Sequence, residues 1–238
     1  MSQELDFLDF ELLPAPALVP EYLLKNYWWA YVHPRAVKVF ERQWLVNAIL
    51  WGNFAGLRDA ALDALGRTID GKTLQVACVY GDFSLRLAER IAPGGSLDVV
   101  DVLPIQLDNL RRKLPADTRV NTHLRDSSNL QFADGGHDQT VLFFLLHEQP
   151  ARVRRATLGE ALRVTRRGGK VVLVDYHLPR QCHPLRYLFR PLLHWLEPFA
   201  LDLWHYDIAH WLPKHVRPEQ IRKKLLFGGL YQMLVITA

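Results

Sequence analysis

Three side chains in the second half of the chain have the types and positions for acid–base or ligand chemistry: His147, Asp175 and His177. Each follows a short apolar run, 140–145 for the first and 170–174 for the other two, that reads as a buried strand. They therefore emerge where the strand ends of a parallel sheet converge on a cleft. An imidazole next to a carboxylate can act as a base, a metal ligand or an orienting group. Tyr176, between the last two, and Tyr80, on an earlier turn, bring hydroxyls to the same candidate catalytic set. The run His205-Tyr206-Asp207 with His210 lacks any established ligand spacing, and no metal ligands are assigned. SxxK, GxSxG and HExxH patterns do not occur, which removes support for the common hydrolases.

A second polar group depends on residues 73–109, around which the chain is organised. Residues 74–79 read as a buried parallel strand and Tyr80-Gly81-Asp82 as a turn. Residues 83–91 have helical spacing, with Phe83, Leu87, Ala88 and Ile91 on one face and Arg86, Glu89 and Arg90 on the other. Pro93-Gly94-Gly95 stops that helix, and a second strand, 96–100, delivers Asp101. This order puts a helix N-terminus and a carboxylate at the C-terminal edge of a parallel sheet, where open α/β sheets bind nucleoside ligands. Asp101 follows Gly81 at about twenty residues, a distance at which an acid can take both ribose hydroxyls. An ordinary βαβ unit with an acidic strand end is the alternative. With the strand running through 79, Gln75, Ala77 and Val79 share one face, and Gln75 and Val79 approach the cleft.

The α/β alternation continues from residue 120. Strands are predicted at 120–124, 140–145 and 170–174, with a helix over 151–165 capped by Arg166-Arg167-Gly168-Gly169. Asp126, after the third of the strands in chain order, is placed either to meet a ligand or to cap a helix. Residues 220–226 and 231–237, joined through Gly228-Gly229, read as a closing pair of strands. The fold class is α/β, a Rossmann-like, seven-stranded, mostly parallel sheet.

With 49% apolar residues the chain can bury a sizeable core. Two cysteines, Cys78 and Cys182, give no disulfide scaffold and fit a reducing compartment. The acidic start MSQELDFLDF is unlike a secretory signal, and no apolar run is long enough to span a membrane. A net charge of +4 with dispersed basic residues suits an anionic membrane surface and argues against nucleic acid as a partner.

The organisation expected is an irregular, Pro-rich arm at 1–20, a helical aromatic cap at 21–66 and a ligand-binding domain at 67–238. Pro34 starts a helix in the cap and Gly66 ends the last one. Trp28, Trp29, Trp44 and Trp51 either pack the cap on the sheet or line a ligand lid. Residues 178–215, after the fifth strand, form an apolar helical insertion, expected as two or more short helices broken at Pro191 and Pro198. Arg186, Arg190 and His194 recur at i, i+4, i+8 among Leu185, Leu188, Phe189, Leu192 and Leu196. Such a segment lies either in a membrane interface, apolar side down, or in the core as a cap helix.

The 73–109 unit resembles the cofactor-binding half of the class I S-adenosylmethionine (SAM) dependent methyltransferases. Their first motif runs from an acid through spaced glycines, and here those positions are Gln75, Ala77, Val79 and Gly81; only the last glycine is kept. The stretch EALRVTRRGGKVVLVDYH resembles the superfamily's signature after its fourth strand. Over residues 20–237 the chain is similar to the quinone-ring C-methyltransferases of ubiquinone and menaquinone biosynthesis. It is closer to the related rhodoquinone-biosynthesis enzymes, through YWWAYVHPRAV, FERQWLVNAILWGN, VACVYGDFS and FGGLYQMLVIT.

The resemblance implies a class I methyltransferase fold and SAM bound by Gln75, Ala77, Val79, Gly81, Asp101, Val102, Asp126 and Ser127, with Asp101 at the ribose and Asp126 at the adenine. It implies conversion of ubiquinone to rhodoquinone, a ring methoxy group becoming an amino group, with SAM as the nitrogen donor and Mn2+ required. It also implies a cytoplasmic enzyme peripheral to the inner membrane. In that setting Val79 and Tyr80 crowd the space of the methionyl group and displace its amine toward the ring. A methyltransferase acting on a lipid-soluble aromatic substrate and a non-catalytic scaffold of a quinone-biosynthesis complex are the rival expectations.

Overall fold

The computed structural model describes residues 19–27, 30, 34–115 and 118–238. The arm at 1–18 and the pair Trp28-Trp29 lie outside the described residues. Seven strands form one sheet: β1 (Lys72–Val76), β2 (Ser96–Asp101), β3 (Val120–Leu124), β4 (His137–Phe143), β5 (Thr165–Tyr176), β6 (Ile221–Leu226) and β7 (Tyr231–Thr237). Their order is β3-β2-β1-β4-β5-β7-β6. The first five run parallel, and β7 lies antiparallel between β5 and β6. Strand order reverses between β1 and β4, so the crevice at their C-terminal ends is the ligand position of an open α/β sheet.

Helices α1 (Glu21–Tyr27), α2 (Pro34–Phe40), α3 (Gln43–Ile49) and α4 (Phe54–Leu65) precede the sheet. Pro34 opens α2 and Gly66, at φ 136°, caps α4, as the turn chemistry predicts. Between strands lie α5 (Phe83–Glu89), α6 (Pro104–Lys113) and α7 (Ala151–Val164). The core forms where these helices meet the buried strands. Phe83 of α5 stacks on Phe143 of β4 at 4.3 Å, and Phe54 of α4 meets the same ring edge-on at 6.2 Å.

Two local expectations are corrected. Arg166-Arg167-Gly168-Gly169 does not cap α7; it belongs to β5, which starts at Thr165 with a register shift against β4. Gly169 permits this because a Cβ there would meet the Asp138 carbonyl oxygen at 2.4 Å. Pro191 does not break the insertion; α8 (Leu185–Leu196) runs through it, followed by the short α9 (Asp202–His205). Proline removes one backbone donor, and Phe189 and Leu193, buried on either side, hold the helix in register. Among the described residues no helix is long and apolar enough to cross a membrane.

Candidate active site

The C-terminal strand ends, the cap and the insertion enclose a cavity of about 640 Å³. Its floor comes from the turn after β1 (Ala77 to Tyr80), the end of β2 (Asp101 to Leu103), Asp126-Ser127 after β3, and His147 to Gln149 after β4. Its roof is apolar: Leu45, Ile49, Trp51 and Phe54 from the cap, with Phe189, Leu192, Leu193 and Leu196 from α8. Trp51 and Phe189 touch across the roof at 5.6 Å, so cap and insertion close it together. Of the cap tryptophans, Trp51 both packs against the insertion and faces the cavity, whereas Trp44 is exposed and off it.

Strand β1 ends at Val76, earlier than the apolar run suggests. Ala77 takes φ 71°, a left-handed conformation that costs a non-glycine residue about 1–2 kcal/mol. Alternation therefore does not carry through to Val79, and Gln75 does not approach the cleft. Its amide is fully buried and donates to the Ala77 carbonyl at 2.9 Å and to Ser84 Oγ at 2.8 Å. A carboxylate could make neither bond as donor. The amide at the motif's acid position clamps a strained turn. Ala77 and Val79 do line the cavity.

Gly81 is also off the cavity. At φ 83°, it makes room for the cap, since a Cβ would meet Gln43 Oε1 and the Phe54 ring at 3.0 Å. Next to it, Asp82 takes both Arg58 contacts at 2.8 Å. Tyr80 lines the cavity with its ring, but its hydroxyl donates to the Ala30 carbonyl at 2.7 Å and accepts from Gln106 at 2.8 Å. That hydroxyl pins the cap rather than facing a reactant.

Asp101 sits 8% exposed at the end of β2. Its oxygens accept from the backbone N–H groups of Cys78 at 2.7 Å and Leu103 at 2.8 Å. Burial pushes the carboxyl up to about 6, and those donors only partly offset it. Val102 lines the same wall. Asp126 starts a turn, not a helix, so the capping alternative falls; its Oδ1 accepts from the Ser128 N–H and Oγ, both at 2.7 Å. Ser127 Oγ pairs with Thr157 at 2.9 Å and accepts from Gln149.

His147 is 4% exposed, and its Nδ1 lies 3.0 Å from Asp175 Oδ1. Asp175 also accepts from the N–H groups of Leu146 and Tyr176, each at 2.8 Å. Burial alone lowers the imidazole, but Asp175, then Glu197 and Glu148, outweigh it and carry it up to about 9. A histidine raised in this way contributes stability that is complete below its ordinary value near 6.5 and is lost as pH rises through about 9. Tyr176 lines the cavity with its ring 4.9 Å from His147. His177 points elsewhere: its Nδ1 meets the Gly229 carbonyl at 2.9 Å, because the chain leaves the sheet after Tyr176.

Glu197 in this site and Arg154, buried behind it, were not anticipated. Glu197 arrives at the end of α8, and an acid directly before Pro198 was the available signal. Arg154 is fully buried, and its phase with Thr157, Leu158 and Ala161 on the apolar face of α7 was the other. Among the described residues no group of three His, Cys, Asp or Glu side chains could hold a metal ion.

Residues 73–169 match the methyltransferase domain family. The chain has the Rossmann-like fold of the SAM-dependent methyltransferases. Solved methyltransferases share this fold, among them an O-methyltransferase family protein from Burkholderia thailandensis. That structure has a TM-score of 0.60 at 20% identity, over 85% of this chain and 59% of the other. The N-methyltransferase NodS from Bradyrhizobium japonicum, in complex with S-adenosylhomocysteine, has a TM-score of 0.54 at 12% identity, over 84% of this chain and 95% of that one. At these identities the likeness is one of fold.

By sequence this methyltransferase-fold chain is related to quinone C-methyltransferases. It is 24% identical over 160 residues, 66% of this chain, to a ubiquinone/menaquinone biosynthesis C-methyltransferase of Geobacter sp. strain M21. It is 34% identical over 124 residues, 51% of this chain, to a demethylmenaquinone methyltransferase of Beutenbergia cavernae. It spans 60% and 48% of their lengths.

Proposed function

We propose that the chain is a SAM-dependent, quinone-modifying enzyme whose reaction converts ubiquinone to rhodoquinone, with SAM as the source of the amino group. The observation that carries the reading is the division of the 640 Å³ cavity into a carboxylate-bearing floor and a roof of apolar side chains with Glu197 at its edge. The floor fits SAM: Asp101, buried with spare lone pairs, is placed for ribose hydroxyls, and Asp126-Ser127 for the adenine. The roof suits a lipid-soluble ring and tail. Val79 and Tyr80 put side chains on the turn where the methyltransferase motif keeps small residues, which favours an amine displaced from its usual cradle. The resemblance attaches Mn2+ to this reaction; the described residues do not assemble a site for it.

C-methylation of a quinone ring is the second reading, favoured by what the Geobacter and Beutenbergia relatives are named for. Product mass analysis separates the two. With SAM labelled at the methionine nitrogen, the label should appear in the quinone; label transferred only from the methyl group would establish methylation. Incorporation of neither by a protein that still binds SAM would point to a scaffold.

A tail of isoprenoid length stays in the bilayer, so the enzyme works peripherally, on the cytoplasmic side of the inner membrane. Support comes from Ile49, Leu192 and Leu196, which line the cavity yet remain more than two-fifths exposed, forming an apolar mouth. Leu188 and Trp195, the latter 86% exposed, extend that rim along α8. Trp195→Glu with Leu188→Glu is expected to abolish flotation with anionic vesicles and leave the thermal transition unchanged. Undiminished flotation would exclude α8 as the membrane contact.

A further inference from the structure

We propose that His147 donates a hydrogen bond from Nε2 to a carbonyl oxygen of the ring substrate, so that the site takes an oxidised quinone in preference to its hydroquinone. The inference rests on the quinone reading above and names the redox form that the site recognises.

The geometry fixes which nitrogen is available. Asp175 accepts from the N–H groups of Leu146, His147 and Tyr176 and lies against His147 Nδ1. The Asp175 oxygen at 3.0 Å accepts from the ring, so Nδ1 carries a proton and donates. Asp175 is buried beneath the floor, which leaves Nε2 as the nitrogen on the cavity side. Glu148 Oε1 stands 3.7 Å from Nε2, an ion-pair distance beyond hydrogen-bond length.

The surrounding charges decide whether Nε2 also carries a proton. Asp175 and Tyr176 face the ring from β5, Glu148 from its own turn, and Glu197 from the end of α8, with Tyr27 of α1 beside Glu197. Arg154 of α7 is the cation behind Asp175. Acids outnumber cations around the ring, and the imidazole stays protonated up to about pH 9. A protonated imidazole has two donors and no acceptor. A quinone carbonyl is a good acceptor for it. A hydroquinone oxygen is a poor one, because its lone pair is delocalised into the ring and its own O–H needs an acceptor. A donor at the carbonyl also draws electron density from the ring carbons, which favours attack by a nucleophile on the ring. C-methylation needs the opposite, an electron-rich hydroquinone. The same histidine therefore separates the two readings of the reaction by the ring form it admits.

The test uses the whole protein and a short-tail dimethoxybenzoquinone, followed by quenching of the fluorescence of Trp51, which lines the cavity. Affinity for the quinone should be flat near neutral pH and fall about tenfold as pH rises beyond about 9. At neutral pH under anaerobic conditions, the hydroquinone should bind at least about fivefold more weakly. His147→Gln keeps a donor that does not titrate, so it should bind the quinone and lose the pH dependence. His147→Phe should lose about tenfold in affinity. A merely structural role would leave the wild-type pH profile flat. That result, or tighter binding of the hydroquinone, would overturn the proposal. If neither ring form binds while S-adenosylhomocysteine still does, the quinone reading itself fails, and the inference with it.

Discussion

Asp101→Asn is expected to weaken SAM binding by about ten- to a hundredfold, the loss of roughly 1.5–3 kcal/mol for hydrogen bonds to a charged acceptor. Asparagine is the informative replacement. It retains an acceptor oxygen for one of the two N–H groups, of Cys78 and Leu103, that hold the carboxylate, whereas alanine would orphan both. The wild-type protein should carry a second signature. Ribose hydroxyls donate, so they favour the ionised carboxylate, and burial holds that group up to about 6. Affinity should therefore fall as pH drops through about 6 and should stay flat in Asp101→Asn. Calorimetric titration at several pH values measures both effects. An Asn variant that binds SAM within twofold of wild type would remove Asp101 from the ribose.

Arg154→Met should cost about 3 kcal/mol or more of stability, read as a lowered urea midpoint with an unchanged slope. The buried guanidinium donates to the carbonyls of Leu146 at 2.9 Å, Gln149 at 2.8 Å and Phe199 at 3.0 Å. It also lies 4.3 Å over the Trp211 ring. Methionine fills the volume and satisfies none of those oxygens. Lysine should recover only part of the loss, because a single ammonium cannot serve three carbonyls spread across two segments. The damage should reach the site, since Leu146 and Gln149 bracket His147. A variant as stable as wild type would mean that water takes over these carbonyls.

The sheet was legible because its signals are local and strong. Near-continuous apolar runs marked β1, β4 and β5, and the spacing from Gly81 to Asp101 placed the carboxylate at a strand end. What was not legible depended on backbone conformation and on distant partners. Gln75 looked like a ligand residue because alternation was extended past Val76; the left-handed turn at Ala77 ends the strand and redirects the amide inward. Gly81 looked like the kept glycine of a SAM-binding motif, yet what requires it is the cap, through Gln43 and Phe54, the latter 27 residues earlier. His177 shared a strand end with Asp175, but one residue beyond the sheet the chain turns and its ring meets Gly229. Tyr80 lines the cavity, but its hydroxyl serves Ala30 and Gln106, partners that lie 50 residues before and 26 after it.

Strand β7 has a consequence for how the molecule is made. It pairs with β5 from Lys170 to Tyr176, and its Leu234 and Ile236 are fully buried. Yet residues 231–237 leave the ribosome after every other strand. Until they emerge, β5 offers an unpaired edge whose side chains, Val171 to Val174, are apolar on both faces. The sheet therefore closes only after translation has passed residue 237, by a long-range pairing that is intrinsically slow. A nascent chain stalled before residue 231 would present that edge to chaperones or to other copies of itself.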